Sequence, residues 1–309
     1  MNKPTYRIAI IGVGQVGAAA AYAIILSSIA AELYLVDVKA ERRDGQVRDL
    51  ADVAYTCGSS THVRAATHQE ARECDIVVIT AGSKYSYGQT SSEHLYHNTG
   101  ILRSIVNEMK PFRPETILLV VANPVDLLTS LAKELSGLPA SQVIGSGTFL
   151  DSERLRGLVA ENARIAANSL DLYVLGVHGE SQVAAWSCAA IGGVPMQKAL
   201  APNSVDEERL AKECKHRSQN IVRAKGAMPF GIGAIVSSIC ASIVRDKRNV
   251  RPISHFQERF GCCLSFPVVL GREGVMRSIP MPLSKEEEER IVESARVLRE
   301  TFKRVQEQY

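Results

Sequence analysis

Four short runs of this chain, "RIAIIG", "ELYLVDV", "DIVVITAG" and "TILLVVANP", are apolar almost without interruption, and helical stretches such as "AAAAYAIILSS" separate them. A strand with one wet face alternates apolar and polar residues, whereas a strand apolar throughout has both faces covered. The first half is therefore expected to form a parallel sheet with helices on both sides. After "QVIGSG" the rhythm changes to long amphipathic helices and hairpin-like strands, with "GREG" supplying the turn in "FPVVLGREGVMRSIPM". At 309 residues the chain has room for two domains, and this change of rhythm divides them into 1–146 and 147–309. The last segment opens with Ser284 as a helix cap and a Glu-rich first turn, which suits the helix dipole.

Composition narrows the function classes. Hydrophobic residues make up 46% and charged ones 22%, enough apolar material for a sizeable core, and the net charge of +3 is spread thinly over the chain, so no nucleic-acid footprint stands out. No apolar run reaches the ~18 residues that a membrane span needs, and the N-terminal stretch "MNKPTYRIAIIGVG" does not read as a secretory signal. Seven cysteines without a CxxC pair fit a reducing cytoplasm better than a disulfide framework or a zinc site, so no metal is expected. The adjacent Cys262 and Cys263 read as strand residues.

"GVGQVG" places Gly12, Gly14 and Gly17 between the first strand and the first helix. Glycines there permit a tight turn and let a pyrophosphate approach the helix N-terminus, where amide groups and the dipole favour negative charge. The pattern alone is weak; its context is not. Asp37 follows at the end of the second strand, about twenty residues on, where a carboxylate bonds the ribose hydroxyls of a dinucleotide. The same carboxylate repels a 2′-phosphate, which favours NAD over NADP, and the ordinary place for Arg42 and Arg43 is solvated helix surface.

In the second half, "GSGTFLDSERLR" and "VLGVHGES" set Asp151, Arg154 and His178 among glycines and strand ends. A histidine held by a carboxylate exchanges a proton with a carbonyl or hydroxyl, and a guanidinium fork grips a carboxylate through two bonds. For His178 alone a structural role is the ordinary reading, but the set points to a hydroxy or keto acid.

With these blocks, and with "LVDV", "ITAG", "VANPVDLLT", "VIGSGTFLDSERLR", "LGVHGES" and "SFPVVLG" in order, the chain resembles the lactate/malate dehydrogenase family over nearly its whole length, and its lactate branch more closely. The resemblance implies a doubly wound Rossmann domain, a mixed α/β catalytic domain, and a homotetramer or dimer. It implies that His178 donates the proton in ketone reduction, that Asp151 stabilises its charged form, that Arg154 clamps the substrate carboxylate, and that Asn123 lies beside the nicotinamide and the reacting oxygen. Gln15, Val16, Thr80, Ala81, Gly82 and Val121 join the glycines and Asp37 in lining the NAD site by the same token.

The departures are as informative. "ITAGSKYSYGQTSSEHLYHN" matches the family's substrate-closing loop yet contains no arginine. Tyr85 stands at the specificity position, where lactate members carry Gln and malate members Arg, and Ser91 stands where the family's catalytic arginine polarises the carbonyl. A serine cannot supply that charge. Met228 takes the place of a common threonine beside the substrate, and Val177 that of the glutamate before the histidine. With Tyr87, these changes suggest a substrate bulkier or more apolar than pyruvate, with weak ordinary pyruvate activity. Lys84, His94 and His97 are the candidate substitutes for the missing charge. Asp171 replaces an activator-binding histidine whose partner matches Arg156, and because a carboxylate repels phosphate, no activation by fructose 1,6-bisphosphate is expected. Two other readings stay open: an NAD(H)-dependent reductase acting on an imine or complex ketone, and a catalytically silent NAD-binding protein.

Overall fold

The structure is a computed structural model that describes residues 6–83, 90–202 and 204–308, the side chain of Ser91 excepted. Lys84, Tyr85 and Tyr87 therefore lie outside the described residues. The first half runs β1 (Arg7–Ile11), α1 (Gln15–Leu26), β2 (Glu32–Val36), α2 (Ala40–Thr56), β3 (His62–Ala65), α3 (His68–Ala71), β4 (Ile76–Ile79), α4 (Ser91–Met109), β5 (Ile117–Val120), α5 (Val125–Ser136) and β6 (Val143–Gly145). The second half continues with α6 (Phe149–Ala163), β7 (Leu170–Asp171), β8 (Val174–Leu175), β9 (Val183–Ala184), β10 (Ala190–Ile191), β11 (Val194–Pro195), α7 (Met196–Ala199), α8 (Glu207–Lys225), α9 (Pro229–Val244), β12 (Asn249–Gln257), β13 (Cys262–Gly271), β14 (Gly274–Ser278) and α10 (Lys285–Glu307).

Strands β3, β2, β1, β4, β5 and β6 lie side by side in that order and pair in parallel. The order reverses between β1 and β4, and the carboxyl ends of these strands open the crevice where such sheets bind ligands. The reason for the double cover is visible in single residues. Ile8 and Ile10 of β1, with Ile76 and Val78 of β4, enter one core with α1, α2 and α9. Ala9 and Ile11, with Val77 and Ile79, enter the other with α4, α5 and α10. A third cluster, built around α6 and α8, supports the second half. This is the doubly wound Rossmann architecture with a C-terminal α/β portion that the sequence led us to expect.

The sheet does not stop at β6. Ser254 of β12 pairs antiparallel with Gly145, so that β12, β13 and β14 extend it to nine strands among the described residues. Gly147 makes the close approach possible: its φ is +51°, and a Cβ there would overlap Ser265 Oγ and stand 2.6 Å from the Ser254 amide nitrogen. The chain thus passes tightly against β12 and β13 before entering α6. The expected hairpin turns at Gly271–Gly274 between β13 and β14, Cys262 and Cys263 lie in β13, and Ser284 forms a capping box with Glu287 at the start of α10. No helix among the described residues is long and apolar enough to cross a membrane.

Candidate functional site

The glycine turn follows β1 and leads into α1. Gly12 has φ +91°, and a Cβ on Gly17 would overlap the carbonyl oxygen of Gly12, so the turn closes only with glycine at both positions. Thr80 Oγ1 donates to that same carbonyl at 2.6 Å, fastening the end of β4 to the turn, and Ala81 packs against Gly12. Gly14 by contrast faces open space, and α1 begins with neither a side-chain cap nor an acidic residue. The first amides of a twelve-residue helix, around Gln15 and Val16, are therefore left for an anion. Asp37 lies one residue beyond β2 rather than at its end; its carboxylate accepts from the amides of Val13 at 3.0 Å and Lys39 at 2.9 Å. Arg42 is exposed on α2, and Arg43 is paired with Asp44. Val121, just past β5, and Gly82, against Ala122 and Asn98, close the crevice on the other side. These features fit the pyrophosphate and ribose of a dinucleotide.

A Gly17→Ala variant is expected to cost about 1–3 kcal/mol of stability through forced backbone displacement and to weaken dinucleotide binding in a fluorescence titration. Unchanged binding and an unchanged melting temperature would show that the turn tolerates a side chain.

The second cluster is set by α6 and the segment after β8. Asp151 and Arg154, one helical turn apart, share a face of α6. Thr148 Oγ1 donates to Val174 O, and the Val174 amide donates to Ser152 Oγ at 2.9 Å, which locks β8 to the start of α6. The Gly176 amide and carbonyl pair with Ser265 of β13. His178 is thereby delivered to Asp151, with Nδ1 2.7 Å from Asp151 Oδ2. A carboxylate on Nδ1 holds the proton there and leaves Nε2 as the exchanging nitrogen. Burial pulls the His178 pKa down, but the charge and hydrogen bond of Asp151 and the charge of Asp126 outweigh it, with Arg154 opposing, and the ring titrates above its ordinary range.

Arg154 is largely buried, with Nη1 3.5 Å from Asp151 Oδ1. Ser218 of α8 accepts from Nη1, and the Met228 thioether lies against Nη2, so Met228 stands beside the guanidinium as an apolar wall. Burial lowers the Arg154 pKa, and Asp151 offsets this.

Asn123, two residues before the start of α5, lines a cavity of about 320 Å³ together with His178. The remaining wall is mostly apolar: Leu95, Val125, Leu127, Val177 and Leu298, with His94 and Asp126 as its ionisable groups. Three residues here escaped the sequence reading. Asp126 accepts from the His178 amide at 2.7 Å. Buried Asn98 accepts from the Ser83 amide at 2.8 Å and donates to Asn123 O at 2.8 Å, tying the start of the loop to the site. Ser218 supports Arg154. An acid and an amide inside otherwise apolar helical faces were the available signals for the first two.

Of the candidate substitutes for the absent arginine, His94 is buried and lines the cavity, whereas His97 is exposed on α4. Lys84 and Tyr85 lie outside the described residues, and Ser91 is the first residue of α4. Arg156 donates to Leu172 O at 2.8 Å and packs over the Tyr173 ring, and Asp171 is exposed on β7.

Residues 6–145 match the family described as lactate/malate dehydrogenase, NAD binding domain, and residues 148–309 match its alpha/beta C-terminal domain. The chain is 41% identical to L-lactate dehydrogenase A of Rhizopus oryzae over 95% of its own length and 91% of that protein. It is 33% identical to L-lactate dehydrogenase of Acetivibrio thermocellus over 98% of both. Among solved structures, a lactate dehydrogenase from a deep-sea metagenome library superposes with a TM-score of 0.94 at 29% identity, covering 98% of this chain and 99% of that one. The minor L-lactate dehydrogenase of Enterococcus mundtii in its ligands-bound form gives 0.92 at 32% identity, covering 97% and 98%.

Proposed function

The chain belongs to the lactate/malate dehydrogenase family and is an NAD-dependent oxidoreductase, and from that premise we propose that it interconverts a 2-hydroxy acid and a 2-oxo acid whose side chain is bulkier or more apolar than that of pyruvate. The observation carrying this reading is the His178–Asp151 pair, 2.7 Å apart, at the edge of an apolar-walled cavity of about 320 Å³ that also holds Asn123. Such a volume lies at the small end of ligand sites, ample for an aliphatic or aromatic side chain.

Gly12, Gly14, Gln15, Val16, Gly17, Asp37, Thr80, Ala81, Gly82, Val121 and Asn123 hold the cofactor in this reading. Bound NADH supplies the hydride that reduces the carbonyl carbon. Arg154 grips the substrate carboxylate by its guanidinium fork, which fixes the orientation of the carbonyl. His178, charged and held by Asp151, gives the Nε2 proton to the carbonyl oxygen, and in the reverse direction the neutral ring takes it back. Asn123 supports the reacting oxygen, and Met228 keeps the wall near Arg154 apolar and adaptable.

A panel of 2-oxo acids of rising side-chain size, followed by NADH oxidation, tests the reading. Larger apolar members are expected to exceed pyruvate in kcat/KM. Turnover of none of them would remove the oxo-acid assignment, and a preference for pyruvate would remove the enlarged substrate.

The reading includes a cytoplasmic homo-oligomer, a dimer or tetramer. The free thiols of all seven cysteines suit a reducing compartment. Exposed Tyr22 and Leu26 on α1, Tyr55 on α2 and Phe230 on α9 offer apolar surface to a second copy. Light scattering of the purified chain reads the subunit number, and a monomer would count against assembly.

A further inference from the structure

Asp126 is an ionisable group beside the reaction centre for which the mechanism above has no task. It lies in the first turn of α5, is 2% exposed, and its Oδ2 accepts the His178 amide hydrogen at 2.7 Å. Its Oδ1 and the Ser254 hydroxyl on β12 face each other without a well-formed hydrogen bond, and both atoms are buried. Burying a carboxylate with one oxygen so poorly served is costly. An asparagine would hold the same amide just as well, and its own amide hydrogens would suit Ser254. Backbone positioning by itself thus explains an acceptor at residue 126, not a charged one.

We propose that Asp126 is a positioning residue whose negative charge, acting from the backbone side of His178 while Asp151 acts from the ring side, sets how tightly His178 holds its transferable proton. The proposal rests on the reading of His178 as the proton donor. Opposite charge at short range favours the charged form of an imidazole, and a low-dielectric surrounding strengthens the effect. Burial pushes the Asp126 carboxyl up to about 6, while Ser254, the His178 amide and the His178 charge all favour its ionised form.

The other groups facing this pair come from four elements. Asp151 and Arg154 stand on α6. His94 on α4 lines the same cavity. The Cys262 and Cys263 thiols on β13 sense Asp126, and burial pushes both up to about 12, which leaves them neutral. Arg299 on α10 acts on Cys262. Asp126 and His178 act on each other's charge, each favouring the other's ionised form.

Reduction needs protonated His178, so kcat/KM for the oxo acid falls as pH rises through the His178 midpoint; oxidation needs the neutral ring and rises there. Removing the Asp126 charge moves both midpoints to lower pH.

Asp126→Asn in the full chain is the test. The pH profile of oxo-acid reduction and, in the cofactor-free protein, NMR titration of isotope-labelled His178 are both expected to shift down by about one pH unit. Superimposable profiles from a folded variant would overturn the proposal. Should the variant not fold, the wild-type His178 amide resonance decides: it must show an inflection near the Asp126 midpoint of about 6, and its absence refutes a titrating Asp126. If wild-type protein turns over no oxo acid, the functional reading fails, while the two NMR measurements still judge Asp126 on its own.

Discussion

His178→Ala is expected to lower kcat for the preferred 2-oxo acid by about 10²–10⁴-fold while NADH affinity stays within about threefold, because the ring belongs to the proton path and not to the dinucleotide crevice. Asp151 is 1% exposed and holds Nδ1, so the ring has one nitrogen left for exchange, and no other described imidazole is seated on a carboxylate at this cavity. Asp151→Asn isolates the electrostatic share, since it keeps the packing but removes the charge that steadies the imidazolium. Steady-state NADH oxidation, paired with a fluorescence titration of NADH, separates the two effects. Wild-type turnover in His178→Ala would end the case for proton donation by this residue.

Tyr85→Gln combined with Ser91→Arg is expected to raise pyruvate reduction by on the order of 10² or more. A guanidinium reaching the carbonyl oxygen acts on charge that develops in the transition state, so the gain belongs in kcat more than in KM. Ser91 is the first residue of α4, next to a capping box in which Thr90 and Glu93 satisfy each other's amides. A cation there meets the unfavourable end of the helix dipole, a cost of about 0.3–1 kcal/mol, and Glu93 is close enough in sequence to offset it. The single Ser91→Arg change separates the arginine from the specificity residue. If pyruvate reduction does not rise in the double variant, the matching of these two loop positions to the family pattern is wrong.

Much of the fold was legible because its signals are local. The apolar strands, the glycine turn and the Ser284 cap each depend on a few adjacent residues, and each reappears in its expected place, although the strands end before their apolar runs do: β4 stops at Ile79, β5 at Val120, and Asp37 lies one position past β2. The reach of the sheet was not legible. Ser254 pairs with Gly145 across more than a hundred residues, and nothing near either residue announces that partner.

The site divides along the same line. Residue identities by themselves pointed to the chemistry proposed above: a glycine turn, an acid after β2, a histidine with a carboxylate, a guanidinium, and a loop without an arginine. Only tertiary structure decided between His94 and His97, which lie one helical turn apart and look equivalent in sequence. His94 falls in line with Asn98 and Leu102 on the buried face of α4, while His97 is turned outward. It likewise gave Asp126 a place behind His178, because a hydrogen bond between residues 52 positions apart exists only after the two halves have packed. Chemical type is carried by each residue, but burial and distance are properties of the assembled chain.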